Sequence, residues 1–295
     1  MKRVLITGGS GFIAQYLLRY APADIKVAVT IRDERKWLFV ENNHYFPSYP
    51  LFLEKEIAPQ MPDKAFDLVI HTAAMASLAA CEKEEALALR INSEATAELA
   101  EWCAQRGVRL FYLSTDIVFK GDRPPYTEKD QPEPVNVYGW SKWQGELALQ
   151  RMSLDFAIGR VALVLGRGMG FSRNFTDWFL ERLNNNQEIP LFRDEIRTPS
   201  AVAALAGEIW RLALSAGQGI FHLAGAEALS RLELGRKICA HLGRGEELLK
   251  AVTLSEMDDY ARPPDVSLRS TRRQSEIPPV GKVIGQILEQ GNGDS

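Results

Sequence analysis

Val4-Leu5-Ile6-Thr7-Gly8-Gly9-Ser10-Gly11-Phe12-Ile13-Ala14 reads as a short apolar strand, a glycine turn and the opening of a helix. Three consecutive apolar residues suit a strand buried on both faces, as in a parallel sheet. Gly9-x-Gly11-x-x-Ala14 then satisfies the dinucleotide spacing, with alanine allowed at the last place. Small residues are needed there for a tight turn, and so that backbone N–H groups can approach a pyrophosphate at the helix N-terminus. An ordinary strand–helix turn can show the same spacing. Its position directly after the first strand favours the cofactor reading, with Gly8, Ser10, Gly11, Phe12 and Ile13 as expected contacts.

Outward from this turn, strand and helix patterns alternate. Helix is expected over Phe12 to Tyr20, strand over Ile25 to Val29, and strand over Phe66 to Ile70. A helix follows from about Cys81 to Arg106, stopped by Gly107 as a glycine after the last turn should. Leu110 to Leu113 reads as strand, the proline-rich Gly121 to Pro134 as surface loop, and Val137 to Met152 as helix. Ala157 to Leu165 reads as one further strand. Beyond it, helices are expected over Asn174 to Leu183 and Ala201 to Ser215, with strand over Gly219 to Leu223. Ser230-Arg231-Leu232-Glu233 is a capping-box pattern that opens another helix. The alternation predicts an α/β fold, a doubly wound parallel sheet covered on both faces. Residues 1–165 are expected to form the nucleotide-binding domain. Residues 166–295 are expected to form mainly a smaller substrate lobe, with 201–224 returning to the main sheet.

Composition narrows the classes. The net charge is −3 and the pI about 5.9, which gives no basic footprint for general nucleic-acid binding. The longest weakly polar stretch, Leu68 to Ala80, falls short of the roughly 20 apolar residues of a membrane span. Three apolar residues after Lys2-Arg3 are too few for a signal sequence. The cysteines at 81, 103 and 239 form no C-x-x-C pair and sit at no metal spacing. A reducing cytoplasm is therefore the expected setting, with no catalytic metal.

Two further stretches carry chemistry. The end of the second strand runs Thr30-Ile31-Arg32-Asp33-Glu34-Arg35-Lys36. A lone acid there would bind the ribose 2′-hydroxyl of NAD, and cations would favour the 2′-phosphate of NADP. Arg32 comes first and favours NADP; Asp33 keeps NAD open. Tyr138-Gly139-Trp140-Ser141-Lys142 places a phenol and an ammonium on one helix face. A phenol has an ordinary pKa of about 10, and a nearby cation lowers it toward useful acid–base range. Leu113-Ser114-Thr115-Asp116 ends a strand, where ligands of open α/β sheets bind. A hydroxyl there could bond both a carbonyl and the phenol.

These parts, in this order, resemble the extended short-chain dehydrogenase/reductases, and most closely the dTDP-4-dehydrorhamnose reductase branch. The residues that carry the resemblance span nearly the whole chain. They include Thr7 to Ile13, Asp67 to Ala74, Asn92, Ser114 to Phe119, Pro134 to Lys142 with Gly145-Glu146, Arg197-Thr198-Pro199, and Arg262 to Leu268. The resemblance implies a Rossmann-type sheet with a small C-terminal substrate lobe, and reduction of the 4-keto group of a deoxy sugar nucleotide. It implies Thr115, Tyr138 and Lys142 as the catalytic set, the last two also touching the cofactor. Ala73, Ala74 and Asn92 would join the cofactor site, with Asn92 supporting the active-site helix. Asp116, Asn174 and Arg262 would lie toward the substrate. A homodimer is compatible with it.

Departures from the branch matter. The related 4,6-dehydratases carry Thr-Asp-Glu where this chain has Thr115-Asp116-Ile117, and Ile117 cannot act as a base. The branch commonly shows Arg-Thr-Ser-Trp where this chain has Arg160-Val161-Ala162-Leu163. An aromatic that could touch the sugar is absent, which puts dTDP-4-dehydrorhamnose itself in doubt as substrate. Asn174 also fits a plain helix cap, and His71 fits a packed strand residue. The resemblance leaves two other functions open. One is a cofactor-binding regulatory protein like the beta subunit of methionine adenosyltransferase; the other is a sugar-nucleotide epimerase.

Overall fold

The computed structural model describes residues 1–32, 48–62, 65–169, 174–257, 260–272 and 277–289. The chain opens with β1 (Lys2–Thr7), α1 (Phe12–Arg19), β2 (Ile25–Ile31), β3 (Ser48–Pro50) and β4 (Leu68–His71). Helices α2 (Leu78–Lys83), α3 (Glu85–Leu89) and α4 (Ala95–Arg106) follow, with a π-helical turn at Arg90–Glu94 between the last two. Next come β5 (Arg109–Thr115), a 3-10 turn (Asp116–Val118), α5 (Val137–Gln150) and β6 (Phe156–Val161). Then β7 (Val164–Leu165), α6 (Phe175–Asn184), β8 (Ile189–Phe192), β9 (Ile196–Arg197), β10 (Ser200–Ala201) and α7 (Val202–Leu214) lead to β11 (Gly219–Leu223). The chain ends through β12 (Leu229–Ser230), α8 (Arg231–His241), β13 (Leu249–Val252), α9 (Leu254–Met257) and α10 (Val280–Glu289).

Seven strands form one parallel sheet in the order β11-β6-β5-β4-β1-β2-β3. Chain direction across the sheet reverses between β1 and β4, which is the switch point where such sheets bind ligands. The apolar run of β1 is explained by its two covered faces. Val4 and Ile6 pack into the cluster shared with Tyr16 and Leu17 of α1 and Leu205 and Ile209 of α7. Leu5 faces the opposite cluster, with Leu99 and Cys103 of α4. Each such side chain contributes about 1.5–3 kcal/mol on burial. Trp210 donates its indole N–H to the Leu17 carbonyl at 2.9 Å, tying α7 to α1.

A third cluster, from Phe179, Leu191, Ile238 and Ile284 among others, forms the core of the smaller lobe. Three two-stranded pairs belong to this half: β7 with β10, β8 with β13, and β9 with β12. Among the described residues no helix is long and apolar enough to cross a membrane.

Two sequence expectations need correction. The single helix over Cys81 to Arg106 is broken into three, with the π-turn between α3 and α4. Asn92 lies in that widened turn, and its carbonyl accepts from the hydroxyls of Thr96 at 2.8 Å and Tyr112 at 3.3 Å. The single strand over Ala157 to Leu165 also divides. Its first part stays beside β5, while Val164 and Leu165 leave to pair with Ser200 and Ala201. Apolar character persists through the break because both parts are buried, each in a different core.

Candidate active site

The turn after β1 is built for close approach. Gly8 has φ +73°, and a Cβ there would lie 2.9 Å from the Ala73 Cα. Thr7 Oγ1 accepts from the N–H groups of Thr72 and Ala73, both at 3.2 Å. The Ala73 loop is thereby stitched against the glycine turn. Gly11 begins α1 without a side-chain cap, and no acid occupies the helix's first turn. Uncapped N–H groups and the positive end of the helix dipole suit an anion. A dinucleotide's pyrophosphate fits this space and charge. Arg32, at the end of β2, is exposed and pairs with Glu54 at 3.6 Å. The following residues of the cofactor-selecting run, from Asp33 to Lys36, lie outside the described residues.

Helix α5 carries Tyr138 and Lys142 and is held at several points. Asn136 caps it by accepting from the Gly139 N–H at 2.8 Å. Glu82 accepts from the Val137 N–H at 2.9 Å. Asn92 donates to Ser141 Oγ at 2.9 Å, while its amide exchanges two bonds with the Met75 backbone at 2.8 and 2.9 Å. Gly139 lets the helix touch the end of β5, because a Cβ there would land on the Ile117 carbonyl oxygen. Below these contacts, Glu146 is wholly buried. It accepts from Ser114 Oγ at 2.5 Å and from Arg160 Nη2 at 2.6 Å.

Thr115 lies at the carboxyl end of β5, buried, and accepts from the Ile117 N–H at 3.2 Å. Burial, then the neighbouring Asp116 charge, pushes the Tyr138 phenol above its ordinary pKa; a hydrogen bond with Thr115 opposes them. The expected lowering by Lys142 is not found. The lysine is drawn beneath the helix, with Nζ 4.1 Å from the centre of the Tyr112 ring. Burial brings its ammonium down to about 7, partly offset by Glu146 and Cys81. The phenol therefore stays protonated at neutral pH, the state a proton donor needs.

His71 is a packed residue of β4. Its ring nitrogens meet Thr7 Oγ1 at 2.7 Å and Thr96 Oγ1 at 3.1 Å. Burial, helped by Lys142, brings its pKa down to about 3, so it is neutral. Asn174 caps α6, accepting from the Asp177 N–H at 3.0 Å and donating to the Asp177 carboxylate at 2.5 Å. Both ends of its amide are thus engaged within the helix.

Beside Tyr138 lies a cluster of buried charges that sequence reasoning had not assembled. Asp116 pairs with Arg197 at 3.2 Å, and Arg197 with Glu195 at 3.0 Å. Glu195 also meets Arg231 at 2.6 Å and Arg262 at 3.7 Å. Arg262 donates to the Tyr260 hydroxyl at 2.6 Å and packs on the Phe192 ring. Burial alone would raise the Glu195 carboxyl, but Arg231 and Arg197 hold it well below the usual range. The Glu195-x-Arg197 spacing could have signalled one strand face; nothing local links either residue to Arg231. Among the described residues no group of three or more His, Cys, Asp or Glu is placed to hold a metal ion.

The family model of the RmlD substrate binding domain matches residues 1–279. The chain belongs to this family. Proteins similar to this chain include the probable low-salt glycan biosynthesis reductase Agl14 of Haloferax volcanii, 32% identical over 67% of each chain. A dTDP-4-dehydrorhamnose reductase of Sinorhizobium fredii is 30% identical over 76% of this chain and 73% of its own. The methionine adenosyltransferase 2 subunit beta of Rattus norvegicus is 25% identical over 93% of this chain and 82% of its own. Among solved structures, the dTDP-4-dehydrorhamnose reductase of Bacillus anthracis in complex with NADP shares the fold. Its TM-score is 0.82 at 23% identity, covering 98% of this chain and 99% of that one.

Proposed function

We propose that this RmlD-family chain is an NAD(P)-dependent oxidoreductase that uses NADPH to reduce the 4-keto group of a deoxy sugar nucleotide. The observation that carries the reading is geometric: Thr115 ends β5, and Tyr138 begins α5 against the same turn, one residue before Gly139 meets the Ile117 carbonyl. The reductases among its relatives and the NADP held by the similarly folded Bacillus anthracis enzyme support it.

When bound, the nicotinamide supplies hydride to the carbonyl carbon. Gly8, Ser10 and Gly11, with the first N–H groups of Phe12 and Ile13, hold the pyrophosphate. Arg32, now beside Glu54, would hold the 2′-phosphate. Ala73 and Ala74 would leave room for the cofactor, and Lys142 would reach its ribose by swinging away from the Tyr112 ring. Asn92 acts through the Met75 loop and Ser141. Thr115 would turn its hydroxyl from Asp116 Oδ1 to the carbonyl oxygen, and Tyr138 would give its proton to that same oxygen. Residues 1–165 with 201–224 serve the cofactor; the lobe built from the remaining residues receives the sugar nucleotide, with Arg262 toward its phosphates.

The test is NADPH and NADH oxidation with dTDP-4-keto-6-deoxy sugars by wild type and Tyr138→Phe. Tyrosine-dependent oxidation, faster with NADPH, is expected, with NADPH binding retained in the variant. Equal turnover in both proteins would overturn the mechanism. The likeness to the methionine adenosyltransferase subunit favours a second reading, a regulatory protein. Stoichiometric capture of a partner enzyme, without turnover on any keto sugar, would favour it.

A further inference from the structure

We propose that Arg197 is a positioning residue that sets the proton affinity of Tyr138 through the carboxylate of Asp116. The proposal deepens the reductase reading and rests on it for its kinetic arm. Arg197, Asp116 and Thr115 form a line from β9 toward Tyr138 on α5. Arg197 Nη1 stands 3.2 Å from Asp116 Oδ2, and Thr115 Oγ1 donates to Asp116 Oδ1 at 3.2 Å. Helix α5 presses on the same turn one residue after Tyr138, where a Cβ on Gly139 would land on the Ile117 carbonyl, and Asp116 and Thr115 both act on the Tyr138 phenol. Arg197 and Asp116 are only 2% and 3% exposed, so water screens their charges little.

The guanidinium is anchored from behind. Glu195 takes Arg197 Nη2 at 3.0 Å and is itself fixed by Arg231 and Arg262. Arg197 Nε and Nη1 make no aligned hydrogen bond, so the contact with Asp116 is electrostatic. Around Asp116 the facing groups are Arg197 from β9, Arg231 from α8, Thr115 at the end of β5 and Tyr138 from α5. Around Tyr138 they are Asp116, Thr115, Arg197 and the Cys81 thiol from α2.

The chemistry follows from this placement. As Tyr138 gives up its proton, a phenolate develops beside Asp116. A bare carboxylate there would oppose that charge. Arg197 cancels most of the opposition, so the donor can act while Asp116 stays ionised. The same contact engages the acid that would otherwise stand free beside the substrate, which suits reduction rather than elimination of water.

Arg197→Met removes the compensating cation. Burial, which already holds the Asp116 carboxyl above its ordinary range, then moves its ionisation further upward, toward neutrality. Below that pH Asp116 is neutral and turnover stays close to wild type. Above it the uncompensated carboxylate opposes the phenolate, and kcat is expected to fall about tenfold, the effect of one pK unit. The new descending limb should vanish in Arg197→Met/Asp116→Asn, and Arg197→Lys should restore the wild-type profile. Asp116→Asn alone leaves Arg197 unbalanced and should move the Tyr138 limb to lower pH. That variant serves even where Arg197→Met fails to fold. A rise in KM with unchanged pH profiles in both single variants would overturn the proposal and leave Arg197 as a substrate anchor. Titration of carboxyl-13C-labelled aspartate, with Asp116 assigned by its Asn variant, follows the same linkage without substrate. No oxidation of NADPH with any keto sugar nucleotide would defeat the reductase reading, whereas an Asp116 titration unmoved by Arg197→Met would defeat this one.

Discussion

Arg160→Met tests how the floor of the candidate site is held. Arg160 is 1% exposed and Glu146 is 0% exposed. They are joined by Arg160 Nε at 3.0 Å and Nη2 at 2.6 Å to the two carboxylate oxygens. Removing the guanidinium leaves a carboxylate in the core with Ser114 Oγ as its remaining hydrogen-bond donor of the two. Breaking a buried pair from one side costs about 3–5 kcal/mol, because the partner's desolvation is no longer offset. The cost should fall toward the lower end, since Glu146 also feels the Lys142 ammonium one turn away. Adding Glu146→Gln removes the stranded charge and keeps an acceptor for Ser114. The double variant should recover at least about 2 kcal/mol of the loss. Urea denaturation of wild type, both single variants and the double closes the cycle. A cost under about 1 kcal/mol for Arg160→Met, or a double variant no more stable than it, would refute the reasoning.

Gly8→Ala should weaken NADPH binding by at least about tenfold. The positive φ alone costs about 1–2 kcal/mol in an L-residue, and the new Cβ presses on Ala73; fluorescence titration reads the change. Gly139→Ala pushes α5 off the Ile117 carbonyl, so kcat should drop sharply while NADPH affinity changes little; stopped-flow turnover beside equilibrium binding separates the two. His71 and His222 are held neutral, at about 3 and about 4, both chiefly by burial. Folded pKa values below the unfolded value near 6.5 mean stability that is complete above that pH and lost as pH falls toward the folded values. The two together predict a loss of about 2.7 kcal/mol per pH unit over roughly pH 6 to 4.5; equal unfolding free energies at pH 6.5 and 5 would contradict it.

Much of the sheet was legible because each strand carries its own signal. Val4 to Ile6, Leu110 to Leu113 and Gly219 to Leu223 are apolar runs next to turn residues, and buried parallel strands need little else. Tyr138 and Lys142 were legible as a pair, since helical spacing is local. Their electrostatics were not. Which way the Lys142 chain bends depends on Tyr112, thirty positions earlier in sequence, and its cation serves that ring rather than lowering the phenol. The arginine–carboxylate cluster was hidden for the same reason. Asp116, Glu195 and Arg231 come from distant segments, and pairing of charges leaves no periodic trace. The break after Val161 was hidden because apolar residues do not announce which core they enter.

Strand β11 has a consequence for how the chain can be divided. It completes the main sheet beside β6 only after the chain has already built β7 through β10, and β12, α8, β13 and α10 then return to the smaller lobe, so the two interleave along the chain. A fragment ending at Leu165 would expose the outer edge of β6 and the face that α7 covers over Tyr16, Leu17 and Ala157. No cut in the backbone separates a self-sufficient nucleotide half from a sugar half. The two must be made, and unmade, together, and recombining them between relatives requires three junctions rather than one.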